Sequence, residues 1–290
     1  MDSPDRLERA LEAAISLANH EDCPPQLTEA LAYAVFPGGA RVRPKLTLSV
    51  ATACNASDSA LVDCAAAAVE LLHCASLVHD DLPCFDAAAT RRGKPSLHVT
   101  YDERIAVLAG DALIVLAFEM LARSAGFHPE RLPVMVRLLA EAASVPRGIA
   151  AGQAWECEES VPLTRYQRQK TGALFIAATT LGAAAAGADP EPWVRVGERL
   201  GEAYQVADDI LDVSADPEEI GKPVGVDSAN SRPNSVLVRG MSASERLLRE
   251  RVAEAVEAIP ACAGQAALKT LIAGEAQHFM ALALHRSAAA

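Results

Sequence analysis

Two sets of three aspartates constrain the fold of this chain more than any other feature of its sequence. The sets are Asp80, Asp81 and Asp86, at the end of a long apolar run, and Asp208, Asp209 and Asp212, inside QVADDILD. Residues three and four apart on a helix are neighbours, so these carboxylates repel one another, and burying them uncompensated costs free energy. A single set is typical of an exposed acidic tip, but two sets within apolar helical segments indicate a positive group between them. Carboxylate oxygens are hard ligands, and a site built from a few of them leaves coordination positions for a phosphate, so this pattern favours Mg²⁺ shared with a phosphate.

The composition of the chain predicts an all-α protein. Hydrophobic residues make up 51% of the 290 residues and aromatic residues only 4%, so the core is built mainly from Ala, Leu and Val. Alanine and leucine are the best helix formers. Runs of β-branched residues with period-two alternation are hard to find. We therefore expect a single domain over residues 1–290, folded as one bundle of about ten or more helices.

Hydrophobic periodicity and turn residues predict where these helices begin and end. The expected helices cover residues 4–19, 25–36, 44–54, 58–81, 101–124, 131–145, 147–158, 165–187, 192–213, 241–258 and 262–286. Between 214 and 234 the pattern fails, because prolines and glycines are frequent. A loop this long in a compact domain is usually functional. The uncharged segment Thr171–Ala188 is near the length of a membrane span, but its many Ala, Gly and Thr residues indicate a buried central helix.

Charge and cysteine content limit the partners and the compartment. The formal net charge of −12 makes nucleic acid and an anionic membrane surface unsuitable partners. The cysteines number seven, which is odd, and no two have the CxxC spacing of a zinc or redox motif. The first residues lack the basic and apolar regions of a secretory signal. We expect a cytoplasmic protein without disulfides, structural zinc or stable membrane insertion.

Basic residues near the first aspartate set suit the binding of an anion. Arg41, Arg43 and Lys45 follow two glycines at the start of a helix, where arginine can pair with phosphate oxygens bidentately. His73 lies two helical turns before Asp80 on roughly the same face. A basic helix start and a histidine of the core are the alternative interpretations.

The motifs HDDLPCFD with RRGKP, and YQVADDILD with GKPVG, resemble the two aspartate-rich motifs of the trans-isoprenyl diphosphate synthases. The resemblance covers nearly the whole chain, in the same order, and is closest to bacterial farnesyl and geranylgeranyl diphosphate synthases. It implies a helical bundle around a central cavity, a homodimer and more than one Mg²⁺ ion per site. It also implies that isopentenyl diphosphate is condensed head-to-tail with dimethylallyl, geranyl or farnesyl diphosphate, through an allylic cation, with release of diphosphate.

The resemblance assigns roles residue by residue. The implied metal-binding residues are Asp80 and Asp86 as direct ligands, Asp81 in support, and Asp208 and Asp212. The implied contacts of the non-allylic diphosphate are Arg43, His73 and Arg92, and those of the allylic side are Arg91, Gln153, Lys170, Thr171 and Gln205. Lys222 and Arg232 lie in the long loop, where positive charge neutralises the departing diphosphate. Arg91, Lys170 and Lys222 carry the catalytic role, although Lys170 alone also fits an exposed basic residue.

The sequence departs from the family pattern at two places and suggests a product at a third. Ala40 replaces the lysine of GGKRxRP, and Ala87–Ala89 replace acidic residues that usually follow the first motif. Farnesyl synthases carry an aromatic residue near Ala75 and Ser76, which closes the pocket floor. Ala75 leaves that space open, so we expect the twenty-carbon geranylgeranyl diphosphate as product. The alternatives are a farnesyl diphosphate synthase, a class I terpene cyclase and a non-catalytic partner subunit of a synthase.

Overall fold

The predicted all-α class is confirmed by the structure. A computed structural model describes residues 3–36, 38–57, 59–126, 128–214 and 234–275. Within those ranges the extended structure consists of one antiparallel pair of two-residue strands, β1 Thr90–Arg91 and β2 Lys94–Pro95. Lys222 and Arg232, most of the predicted loop, and the end of the last predicted helix lie outside the described residues.

The chain divides into two compact units. The first contains Met1–Ala140 with Leu181–Asp189, and the second contains Glu141–Thr180 with Pro190–Ala290. Both units therefore contain more than one segment of the chain. The single domain expected from the sequence stays a prediction.

The first unit is built around one helix of 22 residues, α4. The helices of this unit are α1 Ser3–Ser16, α2 Pro25–Val35, α3 Val42–Ala53, α4 Ser59–Asp80, α5 Leu97–Thr100, α6 Glu103–Arg123 and most of α7 Leu132–Ala143. α4 packs most extensively against α6, and also against α1, α2 and α3. Residues 65–68 of α4 are four consecutive alanines without solvent exposure, and their small side chains permit close helix packing. Pro83, two residues beyond the first aspartates, cannot continue the helix.

Two helices of the described chain are long and apolar enough to cross a membrane, by length and composition only. They are Ala60–Asp80, with 72% of its most apolar window buried, and Glu103–Arg123, with 44% buried. The first is the central helix α4. The second, α6, leaves large apolar side chains exposed along one face, including Val107, Leu108 and Val115.

The second unit is built around α11. Its helices are α8 Ile149–Ala154, α9 Leu163–Gln167, the first part of α10 Ala173–Ala185, α11 Val194–Ser214, α12 Ser235–Arg239, α13 Met241–Glu257 and α14, residues 265–275. α11 packs mainly on α13, and Ile210 of α11 lies in an apolar cluster with Val236, Leu248 and Val252. Ion pairs also join α11 and α13, and they involve Arg199, Glu202, Arg251 and Glu254.

One predicted helix of this unit is wrong as a continuous α-helix. Residues 165–187 were expected to form a single helix, but a π-helical turn, Arg168–Gly172, separates α9 from α10. The predicted helix 147–158 is also shorter, because α8 ends at Ala154 and continues as a 3₁₀ turn, Trp155–Cys157. Such irregular turns preserve the apolar pattern that predicts a helix, so periodicity alone cannot locate them.

Candidate active site

The first aspartate set lies where α4 ends and the chain turns. The backbone N–H of Asp86 donates to the carbonyl of Asp80 at 3.0 Å, so the turn brings the chain at Asp86 back to the end of α4. Ala87 follows with a φ of 49°, in the left-handed region. The side chains of Asp80 and Asp86 are half-buried. Their carboxylate oxygens are a donor set of the hard type that suits Mg²⁺.

Asp81 has a different environment from the other two aspartates. It is buried, and Arg91 Nε donates to its Oδ1 at 2.9 Å, while Arg91 Nη2 also bonds to that oxygen. Burial raises the pKa of Asp81, as do the charges of Asp80 and Asp86, although the bond to Arg91 opposes the rise. Asp81 is therefore tied to the β1 strand, which agrees with a supporting role beside metal ligands.

The predicted contacts of the non-allylic diphosphate lie on α3, on α4 and in the turn between β1 and β2 of the first unit. Arg43 Nη1 lies 3.3 Å from His73 Nε2. Burial and the positive charges of Arg43 and Arg92 hold the pKa of His73 well below its usual value. His73 is therefore neutral at neutral pH and can accept a hydrogen bond from Arg43. The structure brings these two predicted residues together.

Arg41, in contrast, is bound by other groups of the protein. Its guanidinium donates to both oxygens of Glu8, to Glu70 Oε1 at 2.7 Å and to the carbonyl of Val35 at 2.9 Å. Burial alone would lower the pKa of Arg41, but the bond to Glu8 and the charge of Glu70 raise it. This residue anchors the start of α3, and Arg43 is the member of the basic segment that lies beside His73.

The predicted allylic residues of the second unit meet at the π-helical turn. Gly152 of α8 approaches this turn so closely that a Cβ on it would lie 2.3 Å from the backbone nitrogen of Lys170. The Glu156 carboxylate accepts hydrogen bonds from Lys170 Nζ at 2.6 Å, from Gln153 Nε2 at 3.0 Å and from the hydroxyl of Tyr166. Lys170 and Gln153 are thus held by a single carboxylate.

A chain of hydrogen bonds runs from the π-helical turn to the second aspartate set. Thr171 Oγ1 lies 2.6 Å from Gln205 Oε1, and Gln205 Nε2 donates to Asp209 Oδ1 at 2.8 Å. The other oxygen of Asp209 accepts from the backbone N–H of Ser235 at 2.8 Å. Burial raises the pKa of Asp209, and these hydrogen bonds oppose the rise. Asp209 therefore links α11 to α12, and it was not among the predicted metal ligands, which are Asp208 and Asp212.

The two residues predicted to set product length differ in their environment. Ala75 is buried at 1% exposure, whereas its neighbour Ser76 is half-buried. Leu71 and Leu72, one turn earlier on α4, are completely buried. Ala75 therefore lies on the buried face of α4, and its role in product length stays a prediction.

Glu70 and Glu156 were missed by the sequence reasoning. Glu70 is a single acidic residue within the apolar run AAAAVELLHC, and a lone charge in such a run requires a partner. Glu156 follows Gln153 by three residues, which places both on one helical face. These signals mark each residue as unusual, but only the structure shows which basic side chains they bind.

The helical fold and the two aspartate motifs define the class of the protein, a trans-prenyltransferase. The chain belongs to the polyprenyl synthetase family, whose pattern it matches over residues 24–270. A geranylgeranyl diphosphate synthase from Cereibacter sphaeroides is 52% identical over 267 residues, which cover 92% of this chain and 93% of the relative. One from Rhodobacter capsulatus is 49% identical, with coverage of 92% of each chain.

A solved structure supports the same class. The structure of a geranyltransferase from Helicobacter pylori, complexed with magnesium and isoprenyl diphosphate, superposes with a TM-score of 0.78 at 29% identity. The match covers 96% of this chain and 98% of that one. The family resemblance inferred from the motifs is therefore confirmed.

Proposed function

We propose that this protein is a geranylgeranyl diphosphate synthase, which adds isopentenyl diphosphate to allylic diphosphates until a twenty-carbon chain is reached. The observation that carries this proposal is the pair of aspartates, Asp80 and Asp86, closed into one turn beside the Asp81–Arg91 ion pair. Such a site supplies oxygen ligands for a cation and a guanidinium for a diphosphate. The identity of 52% to a geranylgeranyl diphosphate synthase supports the product.

Each side chain has a distinct task in the proposed reaction. Arg43, His73 and Arg92 bind the diphosphate of isopentenyl diphosphate, and Arg91 and Lys170 bind that of the allylic substrate. Gln153, Thr171 and Gln205 position groups on the allylic side. Lys222 and Arg232 add positive charge for the leaving diphosphate.

The reaction needs no nucleophilic side chain. The bond between C1 of the allylic substrate and its diphosphate oxygen breaks, and the double bond of isopentenyl diphosphate attacks the resulting cation. The new bond joins the two carbon chains, and a proton leaves to the released diphosphate. Arg91 and Lys170 stabilise the negative charge that grows on the leaving oxygen, and this electrostatic term is usually the largest contribution to catalysis. Apolar surroundings exclude water from the cation.

We assign the metal ligands to Asp80 and Asp86 in the first unit and to Asp208 and Asp212 in the second. More than one Mg²⁺ ion follows from two separate ligand sets. When bound, these ions neutralise the diphosphate that departs. The magnesium in the Helicobacter pylori relative supports the choice of cation.

Product analysis tests this function directly. The purified chain is incubated with Mg²⁺, isopentenyl diphosphate and dimethylallyl diphosphate, and the dephosphorylated products are separated by chromatography. We expect a twenty-carbon alcohol, and no turnover after chelation of the metal. A fifteen-carbon alcohol would indicate a farnesyl synthase, and no product would indicate a terpene cyclase or a non-catalytic subunit. A second incubation, with geranyl, farnesyl or geranylgeranyl diphosphate alone, separates these two, because only a cyclase would form a cyclic hydrocarbon.

A homodimer in the cytoplasm accompanies this function in our proposal. The exposed apolar face of α6 supports it, because Leu108 is 52% and Val115 is 65% exposed in the single chain. A second copy would cover these side chains. Sedimentation should give twice the mass of 30.4 kDa, and Val115→Glu should give the single chain. A wild-type monomer would exclude the dimer.

A further inference from the structure

Two arginines of the first unit meet at a buried carboxylate that the proposed reaction does not use. Glu70 has a side chain 2% exposed, and its Oε1 accepts from Arg41 Nη1 at 2.7 Å. The same oxygen lies 4.0 Å from Arg92 Nη2. Glu70 therefore lies between an arginine that is buried and one that is predicted to bind substrate.

Arg92 also contacts the turn before α3. A Cβ on Gly39 would lie 3.1 Å from Arg92 Nε and 3.4 Å from its Cζ, so the backbone of the turn before α3 packs against the guanidinium. Arg92 also has a φ of 53°, a conformation that non-glycine residues adopt rarely. Its side chain, 20% exposed, thus lies against the Gly39 backbone and forms an ion pair with the Glu70 carboxylate.

Arg41 explains why the carboxylate of Glu70 keeps its place. Arg41 binds Glu8, Glu70 and the Val35 carbonyl at once, and a Cβ on Gly38 would collide with it. A buried arginine with several hydrogen bonds is a rigid partner. Through Arg41 the position of Glu70 is connected to α1 and to the end of α2.

We propose that Glu70 is a positioning residue for isopentenyl diphosphate, acting through Arg92, whose guanidinium it holds in the orientation that meets the diphosphate. The proposal rests on the proposed function of the site. His73 lies one turn after Glu70 on α4 and is paired with Arg43. Successive turns of α4 therefore hold Arg92 and Arg43, the two arginines that we assign to this diphosphate.

Removing the Glu70 charge has two effects of opposite sign on the affinity for a diphosphate. A carboxylate near an anion repels it, so loss of the charge alone would tighten the binding of a diphosphate. Loss of the orientation of Arg92 would weaken it. The direction of the change therefore separates a positioning role from a general electrostatic one.

The test is the dissociation constant of isopentenyl diphosphate, measured calorimetrically without allylic substrate, for wild type, Glu70→Gln and Glu70→Asp. We expect an increase of about tenfold for Glu70→Gln and a smaller increase for Glu70→Asp, which keeps the charge but shortens the side chain. KM for the allylic substrate should stay within about twofold of wild type. An unchanged or lower dissociation constant in either variant would overturn the proposal.

Two further variants locate the effect. Glu12→Gln is the matched control, because it removes the same charge at an exposed position of α1; it should leave both substrate constants unchanged. In the Arg92→Gln background, Glu70→Gln should have no additional effect, whereas additive effects would contradict an action through Arg92. A wild-type protein that does not bind isopentenyl diphosphate would contradict the proposed function itself, and wild-type binding with an unaffected Glu70→Gln would contradict only this inference.

Discussion

At the scale of single residues, the three aspartates of the first motif divide into two kinds. Asp81 is buried and bound by Arg91, whereas Asp80 and Asp86 are half-buried in a shared turn. We expect Asp80→Ala to lower kcat by about a hundredfold to a thousandfold, because the variant loses a ligand of the cation that stabilises the leaving group. Asp208→Ala in the second motif should have an effect of the same order.

The matched control is Asp22→Ala, since the side chain of Asp22 is 88% exposed and lies in a loop. Its kcat should equal that of wild type. Steady-state kinetics at saturating Mg²⁺ measure all three variants. Near-normal kcat in Asp80→Ala or Asp208→Ala would contradict the assignment of two ligand sets.

Ala40 tests the departure from the family pattern. The residue is exposed at the turn before α3, so a lysine there can reach solvent or a diphosphate. Ala40→Lys should lower KM for isopentenyl diphosphate by at most about tenfold, because one charge-assisted contact in an exposed place contributes little. Ser57→Lys adds the same charge just beyond the opposite end of α3 and should have no effect. A change confined to KM of the allylic substrate would contradict the assignment of this turn.

His73 gives the first unit a pH-dependent stability. Its lowered pKa means that the unfolded chain takes up a proton at a higher pH than the folded protein does. The stability that follows is complete above the unfolded pKa of about 6.5 and is lost as the pH falls toward the folded value. The free energy of unfolding should therefore fall by up to about 1.4 kcal/mol for each pH unit below 6.5. Denaturant titrations measure the free energy of unfolding at pH 7.0 and 5.5. Its fall between these two pH values should be smaller in His73→Gln than in wild type. An equal fall in both proteins would assign the effect to other groups.

At the scale of elements, the π-helical turn places Lys170 and Thr171, and α8 packs directly against it. Gly152→Ala puts a Cβ within 2.5 Å of backbone atoms of Lys170, so one of the two segments must move. We expect a loss of about 1–3 kcal/mol in the free energy of unfolding, with a higher KM for the allylic substrate. Gly274→Ala is the control, since its Cβ meets nothing within 4 Å and alanine favours a helix. Equal thermal stability of the two variants would show that the α8 contact is not tight.

The elements also show how far the sequence predicted the site. The ends of α4 and α11 could be located because aspartates, prolines and apolar runs mark them. The π-helical turn could not, because RQKTG continues the helical periodicity through a change in hydrogen-bond register. Arg41 was expected beside an anion, yet its partners Glu8 and Glu70 lie 33 and 29 residues away, and local spacing carries no information about such pairs. Arg43 and His73 are predicted as site residues because the family resemblance assigns them.

At the scale of the whole molecule, we propose that the length of the product depends on the space along α4. Ala75 is buried on this helix, five residues before Asp80, with Leu71 and Leu72 one turn further from the aspartates. One isoprene unit is about as long as one helical turn. On this proposal a side chain at position 75 decides whether the growing chain can extend by one more unit, and the two leucines are candidates for the floor of the longer space.

Ala75→Phe should stop synthesis at fifteen carbons while the condensation step stays largely intact. A phenylalanine in a fully buried position also overpacks the helix interface, at a cost of about 1–3 kcal/mol, so the melting temperature must be measured beside the product. Ala75→Ser is the matched control, because it adds only a hydroxyl that can bond to the carbonyl one turn earlier, and it should still make the twenty-carbon product. Chromatography of the dephosphorylated products measures both variants. A folded and active Ala75→Phe that still makes twenty carbons would show that the growing chain does not run past this face of α4, and the floor would then have to lie on another helix.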